Sequence, residues 1–183
     1  MIDRAWTEVI GLTKDDELLF GDVAGEGAHI IFYSKQGQLL RIEADTINPQ
    51  QTSSAGGVVG AKLRKGDVLL GGVVIPNAAK DETNWQVVVV SEFGYTHRVQ
   101  LAQFPIKGRG TLGVRCLSTS KTTGAVGGIS VGQGNKVDAF LADGRRQRIS
   151  LDDIAETTTR DARGRRIISE PKKVPIVSVV MLS

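Results

Sequence analysis

This 183-residue chain has few of the residues that build disulfide scaffolds, membrane spans or metal sites. Its single cysteine, Cys116, excludes an internal disulfide, and its two histidines, His29 and His97, form no metal-ligand spacing such as C-x-x-C or H-x-x-x-H. No apolar run approaches the roughly 20 residues of a membrane helix, and the N-terminus lacks a signal-peptide pattern. We therefore expect a protein of the cytoplasm that has no contact with membranes and needs no metal or other cofactor.

Helical patterns are equally scarce. The best candidate, "SLDDIAETTTRDA", contains a run of threonines, which disfavours a helix. Short runs rich in β-branched residues are frequent instead, such as "WQVVVVS" and "HRVQL", and turn residues separate them. The pattern predicts an all-β protein.

The net charge of +3 is unevenly distributed along the chain. Residues 1–28 carry 2 basic and 7 acidic side chains, so the remaining residues carry a net charge of +8. A basic surface of this kind is compatible with binding to a polyanion such as nucleic acid.

Three stretches of the sequence are copies of one pattern: "FYSKQGQLLRI", "VVSEFGYTHRV" and "AFLADGRRQRI". In each copy an apolar run precedes a glycine, and an arginine follows four residues later, with successive copies 57 and 50 residues apart. The glycines suit a tight hairpin turn that needs a positive φ. The repeated positions are Gly37, Gly94 and Gly144 for the glycine, and Arg41, Arg98 and Arg148 for the arginine.

Each copy contains four strand-like runs, which in the first copy are "HIIFYS", "QLLRIEA", "VVGAKL" and "VLLGGVVI". This pattern indicates propeller-like blades. We predict a single domain over residues 1–183, with repeats at about 29–82, 83–133 and 134–183. The segment 7–28 resembles the end of a preceding repeat, because "DELLFGDV" matches "GDVLLGGV". We expect this segment to pair as a strand with the first blade.

Residues 108–113 read G-x-G-x-x-G, the dinucleotide fingerprint, but the context is wrong for that function. A nucleotide-binding fingerprint follows a strand and opens a helix, whereas here Pro105 precedes the glycines and the strand-like "VRCLSTS" follows them. We interpret the segment as a loop that leads into the third strand of its repeat.

The stretches "SEFGYTHRVQLAQFPIKGRGTLGV", "GGVVGAKLRKGDVLLGGV" and "LADGRRQRISLDDI" resemble blades of the C-terminal domain of the A subunit of bacterial DNA gyrase or topoisomerase IV. The resemblance covers about residues 7–183. It implies a β-pinwheel, a propeller-like array whose blades exchange strands, here with about three four-stranded blades. Three blades are too few to close a ring easily, so we expect part of a larger subunit, an open array, or closure of the ring by self-association.

The resemblance also implies a function, which is to bind and wrap double-stranded DNA without sequence specificity and to present it for strand passage. The implied protein partners are the remaining domains of such a topoisomerase and its ATPase partner subunit. The implied location is the bacterial cytoplasm, in association with the nucleoid. The gyrase box "QRRGGKG" would align with "KGRGTLG", where only Arg109, Gly110 and Gly113 match, so the resemblance does not separate gyrase from topoisomerase IV. We predict DNA contacts from Arg41, Arg98, Lys107, Arg109, Arg115, Arg148, Arg163, Arg165 and Arg166.

We predict no catalytic site in this chain, because no nucleophile or acid–base group has an activating neighbour in the sequence. His97 is expected to be solvated, and Cys116 is expected to be a small core residue. Two alternatives to the topoisomerase domain are also compatible with the sequence. One is a protein-interaction propeller, although the G-H…W-D pattern of such repeats is missing, and the other is a free-standing DNA-binding protein built from the same blades.

Overall fold

The computed structural model describes residues 10–49, 57–76, 82–168 and 174–182, and in these residues it is all-β, with no α-helix. The strands are β1 (His29–Ser34), β2 (Gln38–Glu43), β3 (Leu69–Ile75), β4 (Gln86–Ser91), β5 (Tyr95–Gln100), β6 (Val114–Arg115), β7 (Val126–Gly132), β8 (Lys136–Leu141), β9 (Arg146–Ser150), β10 (Arg165–Arg166) and β11 (Ile176–Leu182). Each hydrogen-bonded strand pair is antiparallel. Short 3-10 turns follow β2, β5 and β9.

The strands form three sheets, which we call blades. Blade 1 has the strand order β3-β1-β2-β6, blade 2 has β10-β5-β4-β7, and blade 3 has β11-β8-β9. In each blade a tight hairpin joins the first two strands, and the hairpin glycines Gly37, Gly94 and Gly144 have φ values of 85°, 80° and 86°. The predicted positive φ at these glycines is confirmed.

Neighbouring blades exchange strands, as in a β-pinwheel. The fourth strand of blade 1 is β6, which follows β5 of blade 2 in the chain, and the fourth strand of blade 2 is β10, which follows β9 of blade 3. The glycines that precede these donated strands allow a close approach of two backbones. A Cβ on Gly113 would lie 2.3 Å from the Leu39 carbonyl oxygen, and one on Gly164 would lie 2.6 Å from that of Thr96.

This geometry explains the last glycine of the G-x-G-x-x-G motif. Gly113 is followed by β6, so the motif opens a strand and no helix. It serves strand exchange, in agreement with the interpretation of the segment as a loop before a strand.

The run of valines in β4 is buried on both of its faces. Val87 and Val89 belong to a core cluster shared with blade 1, whereas Val88 and Val90 belong to a second cluster shared with blade 3. Successive side chains of a strand point to opposite faces, so a central blade between two others needs apolar residues at every position. The continuous run "VVVV" therefore marks the middle blade.

In the described part of the chain blade 3 has three strands, not the predicted four, and residues 169–173 lie outside the described residues. In the described residues β9 is the edge strand of blade 3, whereas the equivalent strands of the other blades, β2 and β5, each pair with a donated strand. Three consecutive residues of β9, Arg146, Gln147 and Arg148, are accordingly exposed. The predicted third strand "VVGAKL" of the first repeat is wrong, because in this stretch the structure has only an isolated bridge between Lys62 and Leu112.

The N-terminal segment does not pair with blade 1 in the predicted way. Residues 10–28 contain no strand, and residues 7–9 lie outside the described residues. The segment contacts blade 1 through Phe20, whose ring packs edge-on against Phe32 with centroids 6.3 Å apart. The same ring occupies the space beside Gly72, where a Cβ would collide with it.

Candidate nucleic-acid interface

Blades 1 and 2 carry a basic cavity at the same position. Each cavity lies beside the β-hairpin and the donated strand of its blade, and each contains two cationic side chains. The residues lining the cavity of blade 1 are Gln36, Gln38, Arg64, Arg115, Ser118 and Thr119. Those lining the cavity of blade 2 are Phe93, Tyr95, Lys121, Thr122 and Arg166.

The strand register shows that the cations of the two cavities are equivalent. Arg115 lies opposite Gln38 in blade 1, and Arg166 lies opposite Tyr95 in blade 2. The second cation of each pair, Arg64 or Lys121, stands four residues before a residue whose carbonyl accepts a hydrogen bond from the hairpin. In blade 1 the carbonyl of Val68 accepts the amide of Lys35, and in blade 2 the carbonyl of Ala125 accepts the amide of Glu92.

A third depression connects the two cavities. It shares Gln36 and Thr119 with the cavity of blade 1, and Phe93 and Lys121 with that of blade 2. The three depressions thus form one continuous surface across two blades. We call its five cationic residues the basic rim: Lys35, Arg64, Arg115, Lys121 and Arg166.

The basic rim faces solvent. Four of its members are exposed, and Arg166 is half-buried, with its Nε bonded to the carbonyl of Ile168 at 3.4 Å. Lys35 is 3.7 Å from Glu92, whose other carboxylate oxygen accepts the amide of Ala125 at 3.0 Å. Exposed ion pairs of this kind are weak, so Lys35 can exchange its partner at little cost.

The predicted loop residues take various positions. Lys107 donates from Nζ to the carbonyl of Leu112 at 2.6 Å, and Arg109 is exposed and donates to Val59 O at 2.8 Å. These contacts hold the glycine-containing loop before β6.

In the equivalent loop of the third repeat, Arg163 stacks on the ring of Tyr95, with its Cζ 4.9 Å from the ring centroid. Arg163 thereby lies beside the cavity of blade 2. Arg165 is exposed, with Nη2 3.5 Å from the carbonyl of Asp153.

The three arginines of the repeated hairpin are not part of the basic rim. Arg41 is buried, with 1% of its side chain exposed, and pairs with Glu82 and His29. This burial opposes the predicted phosphate contact, because the guanidinium group already has partners and is shielded from solvent. Arg41 also holds the pKa of Glu82 below its usual value by hydrogen bonding to it.

Arg98 is mostly buried and donates to the carbonyl of Ile154 at 3.0 Å. Arg148 is half-exposed but forms two hydrogen bonds to Asp138, at 2.8 and 2.9 Å. Hydrogen bonding to Arg148 lowers the pKa of Asp138, so this pair is charged on both sides at neutral pH.

Three rim residues were not among the predicted contacts: Lys35, Arg64 and Lys121. Alignment of the repeats could have found the last two, because they occupy one repeat position and are both cationic. Their approach to the donated strand of the same blade, however, depends on strand exchange between repeats.

The remaining reactive side chains are buried. The prediction of a solvated His97 is wrong, since it is fully buried, with Nε2 3.3 Å from the carbonyl of Arg160. Burial lowers its pKa. The prediction of a core position for Cys116 is confirmed, and burial raises the pKa of its thiol to about 12.

Among the described residues, no cluster of three or more histidine, cysteine or acidic side chains could hold a metal ion. The same part of the chain contains no helix with the length and hydrophobicity to cross a membrane.

Comparison with known proteins matches the chain to the family model "DNA gyrase C-terminal domain, beta-propeller" over residues 28–76 and 86–126. The curated relatives include the DNA gyrase A protein of Nocardioides sp., 27% identical over 93% of this chain and 21% of that protein. Another is the DNA gyrase A protein of Aminobacterium colombiense, 30% identical over 82% of this chain and 18% of that protein. The chain thus spans about a fifth of the length of these relatives.

Two solved structures have the same fold. The C-terminal domain of a DNA topoisomerase IV superimposes with a TM-score of 0.80 at 21% identity, covering 93% of this chain and 51% of that one. A DNA gyrase A C-terminal domain superimposes with a TM-score of 0.81, also at 21% identity, covering 96% of this chain and 57% of that one.

Proposed function

Because this chain belongs to the family of DNA gyrase and topoisomerase IV C-terminal domains, we propose that its basic rim binds double-stranded DNA and bends or wraps it for strand passage. The observation that supports this function most strongly is the recurrence of a cation pair at the same position on consecutive blades, Arg64 with Arg115 and Lys121 with Arg166. A polyanion with a regular backbone is the ligand that suits a regularly repeated cationic site.

The binding energy would come from phosphate contacts. Lysine and arginine neutralise phosphates and release condensed counterions, which gives affinity without base recognition and a strong dependence on salt. If all five rim cations contact phosphates, the logarithm of the binding constant falls with the logarithm of salt concentration with a slope of about −4.5.

Arg163 belongs to the proposed contact set because it stacks on Tyr95, which lines the same cavity as Arg166. Lys107, Arg109 and Arg165 line none of the three depressions and stay predictions. We leave Arg41, Arg98 and Arg148 out of the set because their guanidinium groups are engaged with protein carbonyls or carboxylates.

The shape of the array gives the bound DNA its path. In a propeller-like array successive blades are rotated relative to each other, so a duplex that contacts both cavities has to bend. Bending a duplex of 20–30 base pairs by 40–90° costs on the order of 1–6 kcal/mol, which several charge-assisted phosphate contacts can offset.

This function places the chain in the bacterial cytoplasm, at the nucleoid, as a non-catalytic DNA-guiding domain. Its partners would be DNA, the remaining domains of a type IIA topoisomerase and the ATPase subunit that completes the enzyme. The relatives are gyrase A proteins about five times as long as the matched region, which is consistent with such an assembly.

The test is a DNA titration at several salt concentrations with rim variants and a matched control. Replacing both Arg115 and Arg166 with glutamine should weaken binding and reduce the salt slope by about two, because each lost phosphate contact reduces it by about one. The control Arg146→Gln removes an exposed arginine of β9, which lines none of the three depressions, and should leave the slope unchanged. Absence of binding at low salt would overturn the proposal and favour a protein-interaction propeller.

A further inference from the structure

Arg41 and Arg98 occupy the same repeat position, on β2 and β5, and both reach from their own blade to the next. We infer that these two arginines clasp neighbouring blades and thereby fix the angle between successive segments of the basic rim. The consequence for DNA rests on the proposed function, whereas the clasp itself does not.

The first clasp joins blade 1 to blade 2. Nη1 of Arg41 donates to the carbonyl of Phe104 at 3.2 Å and to that of Leu101 at 3.4 Å. Phe104 ends the 3-10 turn that follows β5 of blade 2. Nη2 pairs with Glu82, which precedes β4, and Nε bonds to Nδ1 of His29 in β1 at 3.1 Å.

The second clasp repeats the first between blades 2 and 3. Nε of Arg98 donates to the carbonyl of Ile154, which ends the 3-10 turn after β9, and Nη1 lies 3.6 Å from Glu156. Phe104 and Ile154 thus hold the same place in their repeats, each as the acceptor for the arginine of the preceding blade.

Backbone hydrogen bonds join the blades at the same points. The amide of Lys107 donates to the carbonyl of Arg41 at 2.9 Å, and that of Thr157 donates to the carbonyl of Arg98, also at 2.9 Å. The side chain of each arginine therefore binds a carbonyl of the next blade, and its backbone carbonyl accepts the amide three residues further along that blade. Because a guanidinium group is planar and its donors are rigidly placed, such a set of bonds restricts rotation as well as separation.

The third copy shows what the arginine does where the described residues contain no following blade. Arg148 folds back on its own hairpin and binds Asp138 in β8 with two hydrogen bonds. Asp138 stands where blade 2 has Val88, which is buried against blade 3. The same repeat position therefore serves as a clasp only where a neighbouring blade is present.

The experiment compares Arg98→Met with Arg148→Met, two substitutions that remove the same charge from the same repeat position. Arg98 is preferred to Arg41 for the test because it is partly exposed, so its variant is better able to fold. The first readout is amide hydrogen exchange without DNA. In Arg98→Met, the amide of Thr157 should exchange at least about tenfold faster, because its junction opens more often, whereas the amide of Lys107 at the other junction stays unchanged.

The Arg148→Met control should leave both junction amides unchanged. Equal exchange of Thr157 in the wild type and in Arg98→Met would overturn the clasp, whatever the DNA results. This readout stands even if the chain binds no DNA, so failure of the clasp and failure of the proposed function are distinguishable.

The second readout is the bend of an end-labelled duplex of about 30 base pairs, measured by fluorescence transfer between its ends. Arg98→Met should reduce the bend relative to Arg148→Met, while the affinities of the two variants for a duplex of about one helical turn differ by less than about twofold. A bend equal to that of the control, together with faster exchange of Thr157, would overturn the positioning role. A lower affinity for the short duplex than the control would make Arg98 a DNA contact and would overturn it as well.

Discussion

Gly94 and Gly144 occupy the same hairpin position with nearly the same φ, 80° and 86°, but their surroundings differ. A Cβ on Gly94 would lie 2.3 Å from the carbonyl oxygen of Ile168, in the segment that continues the donated strand β10. A Cβ on Gly144 would meet no atom within 4 Å, because the described part of blade 3 contains no donated strand. Alanine substitution at the two sites therefore separates the cost of backbone strain from the cost of strand exchange.

Both variants lose about 1–2 kcal/mol of unfolding free energy, because a residue with a Cβ is strained in the left-handed region. Gly94→Ala also forces the donated segment to move, and comparable overpacking costs about 1–3 kcal/mol. The expected losses are about 2–5 kcal/mol for Gly94→Ala and about 1–2 kcal/mol for Gly144→Ala.

Urea titration followed by circular dichroism measures both values on the same chain. The effect of alanine on the unfolded state is the same at both positions and cancels in the comparison. Equal losses for the two variants would refute the role of Gly94 in strand exchange.

Buried side chains give three further predictions. Since the pKa of His97 is lowered in the folded state, the unfolded chain binds more protons below about pH 6.5. The unfolding free energy therefore falls by up to about 1.4 kcal/mol per pH unit as the pH drops from there. His97→Gln should make the unfolding free energy measured between pH 7 and 5 less dependent on pH. Cys116 should fail to react with a thiol reagent at pH 8 until the chain unfolds, and rapid labelling of the native protein would contradict its burial. Phe104→Ala should cost about 3–5 kcal/mol in urea titrations, and a loss below about 1 kcal/mol would contradict its place in the core between blades 1 and 2.

The features of the fold that can be predicted from sequence are the local ones. Hairpin strands and their glycines are encoded within about ten residues, so the repeated pattern around Gly37, Gly94 and Gly144 is sufficient to predict them. The assignment of the third strand needs a pairing between repeats. The strands β6 and β10 are each only two residues long. A pattern of alternating apolar and polar residues cannot be recognised in so short a strand, so it does not indicate the blade that receives the strand.

The candidate site is harder to predict for the same reason. The repeated spacing of Arg41 and Arg98 predicts a common role, but it does not distinguish a surface contact from a bond to the next blade. Arginine suits both, because its guanidinium group binds phosphates and carbonyl oxygens alike. The basic rim combines residues of a hairpin, a donated strand and the segment before β3 or β7, and strand exchange is what brings them together.

Two consecutive blades present the basic rim, and we propose that this surface binds bent DNA. The most direct test is competition between a linear duplex and a closed minicircle of the same sequence for the wild-type chain at low salt. If the rim bends DNA, binding to a linear duplex includes a bending cost of about 1–6 kcal/mol. Because the DNA of the minicircle is already bent, its binding includes less of this cost, and it should bind at least about fivefold more tightly. Equal affinity for the two forms, or binding to neither, would contradict the account.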